Sequence, residues 1–482
     1  MNTQYHERNI SMVMDMYELT MSNGYLNQGF KDTWVAFDVF YRNNPDNGGF
    51  AIFAGLQQVV EYIENLHFSE EDVEYLRSKR LFTEEFLEYL LHFRFRGDIY
   101  AMKEGTVMYP NEPVITVVAP LIDAQLIETT ILLEINHQSL IATKTNRIVQ
   151  AANGKPVSDF GARRAHNVDA AVYGARAAYI GGAAGTATVL AGKMFHIPIS
   201  GTMAHSWVMT FDSEYDAFKA YAESYPDGTV LLVDTYDVLK SGVPNAIRTA
   251  REVLEPMGKK LIGIRLDSGD LAYLSKEARK MLDEAGLPDC MIVASNSLDE
   301  YTISSLNRQG AKIDSYGVGE RLITSSSTPV FGAVYKLVAI QKGGKFIPKI
   351  KISETAEKIT NPGIKEVYRV YDENGKAVAD YLAVKGEQIR DLEPVRYVDP
   401  VNYWKNRSFV GCRFKKLQVP VFEKGKRIYD LPDIEEIRQY VKDQLENEIW
   451  EEEQRFENAH THYLDMSPAM FELKMSLLHE EN

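Results

Sequence analysis

Cysteine is almost absent: only Cys290 and Cys412 occur in 482 residues. Two such distant thiols form neither a disulfide framework nor a zinc-ligand spacing, and they fit a reducing compartment. The N-terminal run Met-Asn-Thr-Gln-Tyr-His-Glu-Arg lacks an apolar signal core. The longest weakly charged stretch, Ala177–Gly192, is broken by Gly181, Gly182 and Gly185 and is too short for a bilayer. A cytoplasmic protein with no membrane partner is therefore expected. Positive charge is also short, since 53 basic against 68 acidic side chains leave a net charge of −15. That balance excludes a general nucleic-acid surface but leaves room for a local basic cleft that takes an anionic substrate. Internal repeats, low-complexity tracts and a glycine-rich dinucleotide fingerprint are missing too.

What is present is an alternation. Short apolar runs at Val157–Gly161, Ile197–Gly201, Val230–Asp234, Leu261–Leu266, Met291–Ser295 and Ile313–Gly317 read as strands. Between them, Glu214–Ser224, Pro244–Leu254, Ser275–Ala285 and Asp299–Gln309 read as helices. Strands separated by helices of this length predict βαβ units and a parallel sheet, hence an α/β fold built on a complete or partial (β/α) barrel. An open doubly wound sheet is the structural rival.

The flanks differ. Residues 10–140 mix helices (Ser11–Leu26, Leu56–Leu66, Thr83–Phe93) with strands at Trp34–Tyr41 and Val114–Val118. After about residue 332 the pattern turns antiparallel, with hairpins across Gly343-Gly344 and Asn374-Gly375. Asp433–Asn458 reads as one acidic, solvated helix. The division expected is 1–140, 141–332 and 333–482, with the barrel in the middle.

The ends of the middle strands carry the chemistry. In chain order they present Asp159 and Arg163, Thr202 and His205, Asp234 and Asp237, Arg265 and Asp267, Ser295 and Asn296, then Gly317, Gly319 and Glu320. Each group alone has a bland reading: a satisfied histidine, a helix-capping aspartate (Asp212 or Ser213 among the caps), a glycine turn. Six successive ends bearing charge, hydroxyl or glycine are a poor way to build a merely structural barrel, because buried charge must find partners. Catalytic groups gather at this face of parallel sheets. Arg163 and Arg265 offer planar forks for carboxylate or phosphate, and Gly317 and Gly319 lie where barrels hold phosphate on backbone N–H groups. The aspartates near them suit Mg²⁺ against a polyphosphate, although no protein metal ligand is assigned. His205 is open to three roles: base, metal ligand, or nucleophile toward phosphorus, with Asp237 available to fix its tautomer. No second histidine stands at ligand spacing, which disfavours the metal role. These residues describe a phosphate-handling enzyme with an anionic co-substrate.

Four separated segments resemble the nicotinate phosphoribosyltransferase family. They are Asp15-Met-Tyr17-Glu-Leu-Thr20, Asp159-Phe-Gly-Ala-Arg163-Arg164, Gly201-Thr-Met-Ala-His205-Ser-Trp-Val208 and Ile264-Arg265-Leu-Asp267-Ser-Gly-Asp270-Leu271. The resemblance runs from about residue 9 to beyond 380. It implies a partial α/β barrel with a discontinuous α+β sandwich domain drawn from both chain ends. It also implies ATP-coupled transfer of phosphoribosyl from phosphoribosyl pyrophosphate to nicotinate, giving nicotinate mononucleotide and pyrophosphate in NAD salvage. In that family frame His205 and Asp267 are catalytic, His205 being the residue that ATP phosphorylates. Tyr17, Thr202 and Arg265 hold nicotinate, Tyr17 from across a homodimer interface with shared active sites. Arg163, Asp267, Gly317 and Gly319 serve the phosphoribosyl group, and Mg²⁺ and ATP are the required cofactor and co-substrate. Glu320 departs from the family pattern, where threonine is common. It is expected to point away, with a hydroxyl such as Thr324 or backbone N–H groups taking over. A nicotinamide-using relative would carry an acid in the stretch Gly182–Thr188, which has none. A catalytically dead binding subunit would have lost His205, Arg265 or Asp267.

Overall fold

The first and last strands of the central sheet pair with each other, the arrangement by which barrels close. In the computed structural model, which describes residues 8–355, 358–404 and 406–480, this sheet is wholly parallel. Its strands run in the order Gly185–Thr186, Val157–Asp159, Ser315–Val318, Met291–Ser295, Gly263–Leu266, Val230–Leu232. A doubly wound sheet would put its first and last strands apart. Here the order is cyclic in sequence and opens at one seam, giving a half-barrel sheet.

The expected strand Ile197–Gly201 does not form. The only pairing there is an isolated parallel bridge between Thr186 and Ile199. Pro198 lacks an N–H, so it contributes only its carbonyl, to Thr186 N at 3.0 Å, and a ladder cannot extend through it. Phe195 itself ends a helix, Val189–Phe195, which His196 terminates in the left-handed conformation. The segment after it runs irregularly to a short helix, His205–Met209.

The four expected helices are present; Pro244–Leu254 is an α-helical stretch Val243–Thr249 continued by a π turn Ala250–Leu254 without a side-chain cap, and the other three start on side-chain caps. Ser213 accepts from Asp216 N ahead of Glu214–Ser224, Asp270 from Tyr273 N ahead of Leu271–Glu284, and Asp299 from Thr302 N ahead of Glu300–Arg308. Asp270 and Asp299 therefore follow the bland reading of a strand-end aspartate, satisfying the first orphan N–H groups of the next helix. The half-barrel's core is aliphatic, with Leu231, Leu232, Ile264, Leu266 and Ile292 from the strands packed on Phe218, Ala246, Ala278 and Leu282 from the helices.

Contacts divide the chain into two units, Ile141–Pro329 and a second one that combines the residues up to Leu140 with those from Val330 on. In the second unit, Trp34–Phe40 lies between Val334–Lys342 and Ile115–Pro120, so both chain ends contribute to one seven-stranded antiparallel sheet. Both expected hairpins form: Val334–Lys342 pairs with Lys345–Pro348, and Lys365–Tyr371 with Ala377–Val384. The segment 433–458 is not one solvated helix. It is Ile434–Asp443, a π turn Gln444–Glu448, an extended break at Ile449 and Trp450, and Glu451–Gln454. Two of its polar residues are drawn inward. Gln444 bridges Val107 N and Gly105 O at 3.0 and 2.9 Å, and Glu453 accepts the Tyr109 hydroxyl at 2.6 Å.

Glu453 belongs to a buried charge cluster. Arg369 grips Asp380 through Nε and Nη2 at 3.0 and 2.8 Å. His462, stacked 3.7 Å from the Tyr109 ring, has Nδ1 3.1 Å from Glu453 and Nε2 3.5 Å from Asp380. Burial alone would lower the His462 pKa, but Asp380 and Glu453 outweigh it and raise the value. A raised folded-state pKa gives stability that is complete below the unfolded value of about 6.5 and is lost as pH rises through the folded value. His462→Gln should therefore cost most stability near pH 6 and progressively less toward pH 9, measured by urea denaturation. A penalty independent of pH would contradict a charged His462.

Candidate active site

Six strand-end residues of the half-barrel unit, Thr202, His205, Asp234, Arg265, Asp267 and Ser295, are connected by contacts. Arg265, on Gly263–Leu266, donates from Nη1 to Thr202 Oγ1 at 2.7 Å and from Nη2 to the Met203 carbonyl at 3.0 Å. The irregular segment after Pro198 is thus held by the guanidinium rather than by a ladder. Arg265 Nε is buried and has no hydrogen-bond partner among the described residues. Desolvation pulls the Arg265 pKa down despite the nearby Asp267 and Asp234, and like charge on Arg163 adds to the effect. Such a cation gains much from an anion that enters beside it.

The adjoining carboxylates are fixed. Asp234 Oδ2 accepts from Asp267 N at 3.1 Å and from Ser268 Oγ at 2.5 Å, while its Oδ1 is buried without a partner. Asp267 Oδ1 accepts from Ser295 Oγ at 2.5 Å. Its Oδ2 lies 3.8 Å from His205 Nε2, and the other ring nitrogen, Nδ1, is 3.1 Å from Thr235 Oγ1. After Ser295 the backbone of Asn296 and Ser297 is left-handed, with φ of 83° and 52°. Two successive non-glycine residues in that region carry strain, a feature that clusters at functional loops.

Other expected residues stand elsewhere. Asp237 does not fix His205; it accepts from Leu239 N and Lys240 N and caps the next helical turn, and Asp267 and Thr235 flank the imidazole instead. Asp159 is fully buried and bonded to Thr186 and Gly161 N, and burial raises its pKa, so it fastens neighbouring strands. Arg163 is exposed at the edge of the face. Glu320 is exposed and turned toward Arg164, 3.9 Å away. Thr324 donates its hydroxyl to the Glu320 carbonyl at 2.8 Å, a bond it must release before it can serve a phosphate. Gly317 and Gly319 pack against Phe160, where an added Cβ would come within 2.4 Å of the ring and 3.1 Å of the carbonyl respectively. Tyr17 lies in the other unit; burial and a hydrogen bond to Glu128 raise its pKa well above the ordinary phenol value. Sequence reasoning missed Thr235, Ser268 and the Met203 carbonyl. Thr235 and Ser268 each follow directly on a strand-end aspartate already singled out, so extending the strand-end rule by one residue finds both. The Met203 carbonyl carries no residue-type signal.

Among the described residues no group of three or more His, Cys, Asp or Glu is placed to hold a metal ion. An ion held by one or two carboxylates and a substrate polyphosphate needs no such group.

Family models cover most of the chain. The nicotinate phosphoribosyltransferase N-terminal domain matches residues 12–136, the nicotinate phosphoribosyltransferase family 156–374, and its C-terminal domain 364–474. The chain is 46% identical to a nicotinate phosphoribosyltransferase of Bacillus subtilis, over 99% of its own length and 96% of the relative's. With the Mycobacterium tuberculosis nicotinate phosphoribosyltransferase pncB2 it shares 41% identity over 90% of its own length and 87% of the relative's. The human nicotinic acid phosphoribosyltransferase structure superposes with a TM-score of 0.86 at 27% identity, covering 96% of this chain and 99% of that one.

The packing at Gly317 is separable from chemistry. Gly317→Ala should destabilise the fold by roughly 1–3 kcal/mol through overpacking on Phe160. Gly201→Ala, whose Cβ would meet nothing within 4 Å, should be nearly neutral. Denaturant midpoints of the two variants check this, and equal stabilities would contradict it.

Proposed function

The chain belongs to the nicotinate phosphoribosyltransferase family, and on that premise we infer how its strand-end site performs the reaction. It joins nicotinate to the phosphoribosyl group of phosphoribosyl pyrophosphate, giving nicotinate mononucleotide and pyrophosphate in NAD salvage. The pyridine nitrogen attacks the anomeric carbon, a C–N bond forms, and the C–O bond to pyrophosphate breaks with its electron pair leaving on pyrophosphate. Positive charge grows on the ribose and negative charge on the leaving group. The protein's work is therefore alignment and electrostatic stabilisation, with no dedicated acid–base pair.

One observation carries the assignment of roles: Arg265, half-buried, holds Thr202 and keeps Nε unbonded. This guanidinium pairs with the nicotinate carboxylate, with Thr202 beside it and Tyr17 stacking on the pyridine ring. Arg163, Asp267 and the Gly317–Gly319 turn face the phosphoribosyl end, with Glu320 turned aside and backbone N–H groups replacing the missing hydroxyl. Asp267 and Asp234 are the carboxylates that fit Mg²⁺, which when bound would neutralise charge on the departing pyrophosphate. His205 is the acceptor of the ATP γ-phosphate. A carboxylate facing Nε2 favours the proton on that nitrogen and leaves the Nδ1 lone pair as the nucleophile. In architecture, the half-barrel unit is read as a partial (β/α) barrel and the other unit as a discontinuous sandwich domain. The enzyme is assigned to the cytoplasm, as its two buried free thiols suit.

Carboxylate selection is tested with Arg265→Ala. A charge-assisted pair in a desolvated site is strong, and nicotinamide cannot replace it. Efficiency (kcat/KM) with nicotinate should fall by at least about a hundredfold, while the poor activity with nicotinamide changes little. Equal losses with both substrates would assign Arg265 to the phosphoribosyl group or to the fold.

The functional unit is a homodimer in which Tyr17 completes the partner's site, since two-fold pairing generates two equivalent shared sites. Mixing inactive Tyr17→Ala with inactive His205→Ala subunits should restore part of the activity, because one hybrid site is intact. No recovery despite demonstrated subunit exchange would contradict a shared site.

A further inference from the structure

We propose that Thr235 is the positioning residue of His205, an inference that rests on the reading of His205 as phosphate acceptor. His205 begins the five-residue helix His205–Met209, after the irregular segment, so no strand fixes its side chain. An imidazole is also free to settle over a broad range of ring torsions unless a partner selects one. Among the described residues Thr235 makes the ring's hydrogen bond, at 3.1 Å to Nδ1. On the opposite edge Asp267 Oδ2 lies 3.8 Å from Nε2, too far for a hydrogen bond but close enough to favour a proton there.

Thr235 is itself well placed for this task. It follows Asp234, whose carboxylate is bonded to Asp267 N and Ser268 Oγ. The residue that touches one edge of the imidazole and the residue that faces the other are therefore tied together one peptide away. With the proton on Nε2, the Thr235 hydroxyl donates to the Nδ1 lone pair and turns that nitrogen toward the strand-end face. In the transfer, an Nδ1–P bond forms and the γ-phosphorus–oxygen bond of ATP breaks, its electron pair leaving on ADP. Nε2 keeps its proton, and the positive charge gained by the ring is balanced by Asp267. Thr235 gives up its bond to the lone pair as phosphorus arrives and is left as a donor beside the new phosphoryl oxygens. When water attacks phosphorus, the N–P bond breaks and inorganic phosphate is released.

The test compares Thr235→Val, which keeps the shape and loses the hydroxyl, with Thr235→Ser, which keeps the hydroxyl. The full-length enzyme is mixed rapidly with γ-³²P-labelled ATP and Mg²⁺, and acid-labile protein-bound phosphate is followed over time. Loss of one hydrogen bond and of ring alignment predicts about a tenfold slower labelling at saturating ATP for the valine variant. The ATP concentration for half-maximal labelling should stay within about threefold, and serine should restore labelling to within about threefold of wild type. Labelling of the valine variant at the wild-type rate would overturn the proposal, as would a loss confined to ATP affinity. Equal loss in the serine variant would also overturn it, by showing a structural role. If the wild-type enzyme itself takes up no ATP-derived phosphate, or His205→Ala labels as wild type does, the reading of His205 fails instead.

Discussion

The Asp234 carboxylate is the constraint on which the rest of the site depends. Through one oxygen it holds the Asp267 backbone N–H and the Ser268 hydroxyl, and so locks the end of one parallel strand to the turn after the next. With the backbone of Asp267 fixed, its side chain is aimed by Ser295 from the following strand. His205 then sits between Asp267 and Thr235, and Arg265, two residues before Asp267, reaches the other way to Thr202 and Met203. Four segments that are distant in sequence are thus brought to a common geometry by a few charge-assisted bonds at the open ends of the strands. Such preorganisation is what an enzyme needs when its chemistry is alignment rather than proton transfer.

The electrostatics of the face follow from the same contacts. A chain with a net charge of −15 repels anions on average, yet it binds substrates that are all anionic. The solution is local: Arg163 lies close enough to Arg265 for like-charge repulsion, and burial makes the charge on Arg265 costlier to hold and pulls its pKa down. A carboxylate placed beside it would relieve that cost, which is the physical basis of the proposed preference for an acid over a neutral amide. The buried Arg369–Asp380–His462–Glu453 cluster of the other unit shows the contrasting arrangement, in which charges satisfy one another and hold structure.

Much of this was legible in the residues. Helix Glu214–Ser224 and strand Met291–Ser295 follow their apolar periodicity and capping signals with no tertiary override. The grouping of His205, Arg265 and Asp267 follows from strand ends in a parallel sheet. What failed did so for identifiable reasons. Ile197–Gly201 has the composition of a strand, but Pro198 withholds the donor a ladder requires. Asp433–Asn458 has helical composition, but Gln444 and Glu453 are claimed by buried backbone and hydroxyl partners that no periodicity reveals. Asp237 is the carboxylate expected at the next strand end to orient His205, but it caps the following helical turn and the register of the parallel strands brings Asp267 there. Thr235 lies one residue past Asp234, just beyond the strand-end positions that composition singles out, and only the fold shows that its hydroxyl meets His205.

The roles given to these residues all rest on one reaction, the joining of a pyridine carboxylate to phosphoribosyl pyrophosphate. Incubation of the purified protein with phosphoribosyl pyrophosphate, Mg²⁺ and either nicotinate or nicotinamide, with and without ATP, tests it most directly when products are identified by mass spectrometry. Nicotinate should give nicotinate mononucleotide and pyrophosphate, in larger amount with ATP, and nicotinamide should give little product. Preferential formation of nicotinamide mononucleotide, or no nucleotide from either base, would contradict it.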